Sequence, residues 1–90
     1  MKAPYLEVTY RKGKPLAAYL YLARMDGDQA QRTVSEDAGL VVDYSADGRP
    51  IGIEITTPRA FSAAALNGLL TRLKLPTIPP RDLAPLDTAA

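Results

Sequence analysis

The chain has 90 residues, 47% hydrophobic and 23% charged, with a formal net charge of +1; a chain of this length buries somewhat more than ~60% of its unfolded surface around one core, which excludes two domains. Cysteine and histidine are both absent, which removes thiolate nucleophiles, disulfide staples, Cys/His zinc sites and the usual general base near neutral pH. Lysines and arginines are scattered from Lys2 to Arg81, so no face is expected to hold the field that a phosphate backbone selects, and nucleic acid is not expected as a direct ligand.

The opening MKAPYLEVTY carries one lysine and then alternates polar with apolar residues. It lacks the continuous apolar segment of a secretory signal, and no run reaches the ~18 residues of a membrane span, so a cytoplasmic protein without membrane contact is expected.

Three dipeptides punctuate the first half: Lys12-Gly13, Asp26-Gly27 and Asp47-Gly48, each between stretches rich in Val, Ile, Leu, Tyr or Thr. A two-residue type I′ turn needs positive φ at both central positions, which makes Asp-Gly a strong hairpin signal and Lys-Gly a weaker one. A turn at Asp26-Gly27 places Ala23 opposite Ala30, Tyr21 opposite Arg32 and Tyr19 opposite Val34, with a cation–π pair available between Tyr21 and Arg32. The strand LAAYLYLA is apolar on both faces, with Tyr19 and Tyr21 on one and Leu20 and Leu22 on the other. Strands of that kind sit centrally and are covered twice.

A two-residue turn at Asp47-Gly48 within GLVVDYSADGRPIGIEI sets Tyr44 against Ile51, Val42 against Ile53 and Leu40 against Ile55. All six then share one face, the internal consistency of a correct register, while Val41, Asp43, Gly52 and Glu54 share the other. Pro50 faces Ser45 in this register. Its missing N–H implies that no further strand pairs with that end of the 50–57 strand, which is expected to begin at or near a sheet edge.

From Ser62, an N-cap residue, SAAALNGLLTRLK spaces Leu66, Leu69, Leu70 and Leu73 by three and four, an amphipathic helix that ends before Pro76 and covers one sheet face. Gly68 weakens that helix by about 1 kcal/mol relative to Ala, so tertiary packing must hold it. The other sheet face is left for a partner, most simply a second copy of the chain. Residues 76–90, PTIPPRDLAPLDTAA, hold four prolines and little periodicity, so a sheet-plus-helix domain over 1–75 is expected to carry an extended, polyproline-like tail. That tail is either loose or a docking arm with Ile78, Leu83 and Leu86 as its anchors.

Asp43 and Glu54 project from adjacent strands at diagonal positions of one face. Paired carboxylates can split into acid and base or hold a hard cation, but a small sheet offers no deep cleft, and two oxygen donors are too few for a calcium or magnesium site. Solvent, an ion pair or a protein partner is expected to meet them. Asp26-Gly27-Asp28 lacks the later oxygen ligands of a calcium loop, and Ser35 has no Lys, His or second Ser nearby in sequence to activate it. Gly39, Gly48 and Gly52 have the wrong spacing for a phosphate-cradling loop. Tyr5, Tyr10, Tyr19 and Tyr21 would need a basic rim to act as a base-stacking platform. Arg11, Lys12 and Lys14 are the only local basic cluster, read as a solvated turn.

The run of Gly39, a short valine pair, Asp43-Tyr44, an acidic-Gly turn and then Gly52-Ile-Glu-Ile resembles the small bacterial family called domain of unknown function 2283. VTYRKGKPLAAYLYLAR resembles that family's opening hairpin, so the likeness spans roughly residues 5–57, with Gly39, Asp43, Tyr44, Gly48, Gly52 and Glu54 carrying it. The basic turn RKGKP and the proline-rich tail depart from the family pattern. The resemblance implies a small antiparallel β domain, prone to self-association and without established catalytic activity, some of whose members are discussed as antitoxins encoded beside ribonuclease-like toxins.

The expected fold is α+β: an antiparallel meander of about five or six strands with one C-terminal helix on a face and an extended tail. The expected function is a non-catalytic protein-interaction module, antitoxin-like, that neutralises a small basic ribonuclease-type partner. Its contact residues would be Tyr19, Tyr21, Asp43, Glu54, Ile78, Leu83 and Leu86, with Asp82 and Asp87 as further acids, and it would self-associate. No enzyme activity, cofactor or metal is expected. The alternative is a small-ligand or metal-binding domain with its site on the sheet face or at a dimer seam around Tyr19, Tyr21, Asp43 and Glu54.

Overall fold

The computed structural model describes residues 4–87. Five strands, β1 (Tyr5–Arg11), β2 (Lys14–Tyr21), β3 (Arg32–Ser35), β4 (Leu40–Tyr44) and β5 (Pro50–Ile55), form one antiparallel sheet in the order β1-β2-β5-β4-β3. The arrangement is meander-like, with one departure: the β2–β3 connection leads the chain to the far edge, and β3, β4 and β5 then return inward.

Lys12-Gly13, the weaker turn signal, closes a true two-residue hairpin. Arg11 pairs with Lys14, and Lys12 and Gly13 have φ of 54° and 77°, as a type I′ turn requires. Asp47-Gly48 does not. Gly48 N–H bonds Ser45 O at 3.0 Å, Ser45 N–H bonds Arg49 O at 2.9 Å, and Gly48 takes φ 86°, so the loop is a tight turn extended by one left-handed glycine. Asp47 accepts from the Ser45 hydroxyl and from Arg49 Nε and so fixes that shape. Tyr44 consequently pairs with Pro50 instead of Ile51, and Ser45 no longer faces Pro50. A bulge at Ile51 then restores the expected pairs of Val42 with Ile53 and Leu40 with Ile55. The apolar alternation dictates this return, since a one-residue slip would turn every core side chain to solvent.

Asp26-Gly27 closes no hairpin, which corrects the expected second register. Tyr19 pairs with Glu7 and Glu54, not Val34, and Tyr21 with Tyr5 and Gly52, not Arg32. Arg32 instead lies 4.5 Å over the Tyr44 ring, and Arg24 lies 5.2 Å from the Tyr21 centroid. The physical reason is the two-sided apolar character of β2, which is satisfied between β1 and β5 better than at the side of the short, exposed β3. Asp28 holds the crossing segment: it accepts from Met25 N–H at 2.8 Å and pairs with Arg49 at 2.7 Å. β5 is thus central. Pro50 lies just beyond the β2–β5 ladder, which runs over Gly52–Ile55, so its missing donor costs that ladder nothing.

Helix α1 (Ala63–Arg72) starts at Ser62, whose hydroxyl accepts from Ala65 N–H at 3.1 Å. It buries Leu66, Leu69 and Leu70 against Ala18, Leu20, Leu40, Val42, Ile53 and Ile55. The helix closes with Leu75 N–H on Leu70 O and Lys74 N–H on Thr71 O, and Lys74 sits at φ 61° where glycine is usual.

The tail corrects a further expectation, for it is not extended throughout. A 3-10 turn (Pro80–Leu83) runs into the short helix α2 (Ala84–Asp87), and Leu83 and Leu86 are 1% and 2% exposed in the core. Asn67 of α1 clamps Ile78 on both sides, donating to its carbonyl at 3.2 Å and accepting from its N–H at 2.8 Å. Two leucines and a partly buried isoleucine give the segment enough apolar area to offset ordering a proline-rich stretch, whose unfolded state is already restricted. Residues 88–90 of the expected tail lie outside the described residues.

Candidate functional site

α1, the 3-10 turn and α2 all pack on one face of the sheet, so the opposite face stays open. Strand pairing lays two rows across it. One runs Tyr5, Tyr21, Gly52, Asp43, Thr33; the next runs Glu7, Tyr19, Glu54, Val41, Ser35. Asp43 and Glu54 therefore occupy diagonal positions on adjacent strands. Tyr19 and Tyr21 stand on the strand beside them.

Tyr19 leans out of its own row. Its hydroxyl donates to Asp43 Oδ2 at 2.6 Å, and Thr33 Oγ1 donates to Asp43 Oδ1 at 2.9 Å. The reach is possible because Gly52 lies beneath: a β-carbon there would stand 1.9 Å from the Tyr19 hydroxyl and 2.3 Å from its ring. Partial burial, the bond to Asp43 and the charge of Asp43 raise the phenol pKa well above its ordinary value, in that order of weight. Both oxygens of Asp43 thus have protein donors, which fix the orientation of the carboxylate.

The tyrosines form a ladder beside this pair. Tyr5 and Tyr21 stack at 4.5 Å and 15°, and Tyr21 meets Tyr19 at 4.7 Å and 59°. The Glu7 carboxylate raises the Tyr21 pKa by its charge. Tyr5 is 52% exposed. Glu54 is exposed and has no hydrogen-bond or ion-pair partner among the described residues.

Tyr19, Tyr21, Asp43 and Glu54 come together here, whereas Ile78, Leu83 and Leu86 do not. The latter three pack into the chain's own core on the far face, so Leu83 and Leu86 are not free to anchor another protein. Asp82 is exposed beside Arg81, and the side chain of Asp87 lies outside the described residues. Among the described residues no group of three or more acidic side chains is placed to hold a metal ion. Sequence reasoning did not foresee Thr33 and Arg24 at this face, nor Gly52 as the seat for Tyr19. Gly52 and Arg24 follow from the β2–β5 pairing and Thr33 from the β3–β4 pairing, neither of which a local turn signal announces.

No curated protein and no solved structure matches the chain. Residues 17–57, running from β2 through β5 and so containing Tyr19, Tyr21, Thr33, Asp43, Gly52 and Glu54, match the family model described as Protein of unknown function (DUF2283). The match leaves out β1, α1 and the tail. Through the segment that builds most of the open face, the chain is similar to the DUF2283 family of proteins of unknown function.

Proposed function

We propose that the chain is a non-catalytic protein-interaction module whose open sheet face receives a small basic protein, in the manner of an antitoxin that neutralises a ribonuclease-type partner. The observation that carries this reading is the unpaired, exposed Glu54 next to the Tyr5–Tyr21–Tyr19 ladder. Rigid tyrosines supply contact area at small entropic cost, and an uncommitted carboxylate supplies charge complementarity and steering toward a basic surface. Asp43, engaged by two donors, holds the ladder in shape.

When the basic partner is absent, the same face is proposed to meet a second copy of the chain. The proposed setting is the cytoplasm; among the described residues no helix is long and apolar enough to cross a membrane. A site for a small ligand on this face receives less support, because the clefts at the β1–β2 turn, between β1 and residues 78–85, and at the β4–β5 turn are lined by other residues.

Affinity capture from native lysate with the full chain and with Glu54→Lys tests the proposal. A small basic protein held by the first, released by moderate salt and absent with the second, together with suppression of its ribonuclease activity by the full chain, is the expected outcome. Equal capture by both chains contradicts the proposal.

A further inference from the structure

A different surface carries a second kind of chemistry. The turn of the β1–β2 hairpin folds toward the 3-10 turn Pro58–Ala60 that follows β5, and between them lies a groove of about 390 Å³. Arg11, Lys12 and Lys14 line it from one side and Arg59 from the other, over a floor that includes Leu16 and Pro58. No acidic residue lines it.

Two features distinguish this from an ordinary solvated turn. Every other described arginine has a partner: Arg24 bonds Ile51 O, Arg32 lies on Tyr44, Arg49 holds Asp28 and Asp47, and Arg72 and Arg81 pair with Glu36 and Asp82. Arg11 and Arg59 have none among the described residues, although they come from distant parts of the sequence and folding gathers them with two lysines against their mutual repulsion. Lys12, moreover, sits at φ 54°. A lysine there is strained where Gly or Asn would not be, as Ala38 and Lys74 also are at φ 62° and 61°, so at this position the turn geometry and the side chain can be tested separately.

We propose that this groove binds a small ligand with clustered phosphates, of the size of a nucleoside polyphosphate. The volume lies in the range of small-molecule sites. Two guanidinium forks suit paired phosphate oxygens, the lysines act as point charges, and Leu16 with Pro58 offers an apolar surface to the rest of the ligand. The proposal does not depend on the open sheet face, which lies on other residues.

Calorimetric titration of the full chain with inorganic tripolyphosphate and with adenosine triphosphate tests it. Saturable one-to-one binding is expected, weakened roughly tenfold or more by Arg59→Gln or Arg11→Gln and unchanged by Arg81→Gln, which removes the same charge elsewhere. Lys12→Gly is expected to raise the melting temperature while weakening binding. Equal weakening by Arg59→Gln and Arg81→Gln would show general charge attraction and overturn the proposal. So would absence of saturation at millimolar ligand, or preference for a long single-stranded oligonucleotide with a much steeper salt dependence.

Discussion

The Tyr19 hydroxyl reaches Asp43 at 2.6 Å by crossing directly over Gly52. Three residues from three neighbouring strands, β2, β5 and β4, therefore specify one another: the absent side chain of one makes room for the hydrogen bond of the other two. That bond fixes the angle at which Tyr19 meets Tyr21, and so the shape of the open face.

Gly52→Ala should expel Tyr19 from this position and destabilise the fold by about 1–3 kcal/mol, the usual cost of forcing atoms into a packed site. In a Tyr19→Ala background the same substitution should be neutral or stabilising, because alanine is entropically preferred to glycine within a strand. Urea unfolding of the four proteins in this double-mutant cycle measures the coupling. Equal effects of Gly52→Ala in both backgrounds would contradict the packing relation.

The β4–β5 turn should carry acid sensitivity. Hydrogen bonds from Arg49 and Ser45 hold the Asp47 carboxyl down at about 2 from an ordinary 3.8, and Arg49 and the Met25 N–H lower Asp28 likewise. A depressed folded-state pKa gives stability that is present above the unfolded value and is lost as pH falls through the folded one. Stability should therefore decline between about pH 4 and pH 2. Arg49→Gln should flatten that decline in a series of urea midpoints.

Removing residues 76–90 should unfold or severely destabilise the domain, because Leu83 and Leu86 lie in the core. Leu83→Ala alone should cost about 2–5 kcal/mol, as for other large-to-small core changes. A truncated chain with an unchanged melting temperature would contradict the packing of the tail.

Two substitutions on the helix should stabilise by opposite logic. Gly68 is exposed with open space around it, so Gly68→Ala should add about 1 kcal/mol through helix propensity. Lys74 occupies a left-handed C-terminal position, so Lys74→Gly should add about 1 kcal/mol by relieving strain. Thermal denaturation of each variant reads both.

The β4–β5 register beyond the turn is legible in the sequence because Leu40, Val42, Ile53 and Ile55 must share a face and the Asp47-Gly48 turn limits how far the strands can slide. Ser62 and the leucine spacing likewise announce α1. The neighbours of β2 are not legible in the same way. Asp26-Gly27 offers a plausible local hairpin, and only the competition among strands for two-sided burial sends β2 to β5. The tail misleads for a related reason: four prolines suggest extension, yet Leu83 and Leu86 find a core that local sequence does not reveal. Within the candidate site, Asp43 and Glu54 could be placed on one face from their own hairpin. The contacts of Tyr19 with Asp43 and of Tyr21 with Tyr5 required the long-range order.

The most direct test of the open face as the docking surface is site-specific photocrosslinking in native cells, with a photoreactive residue placed at Glu54 and, separately, at Ala64 on the exposed side of α1. A single adduct with a small basic protein from position 54 and none from position 64 is the predicted result. No adduct from position 54, or the same adduct from both positions, would contradict it.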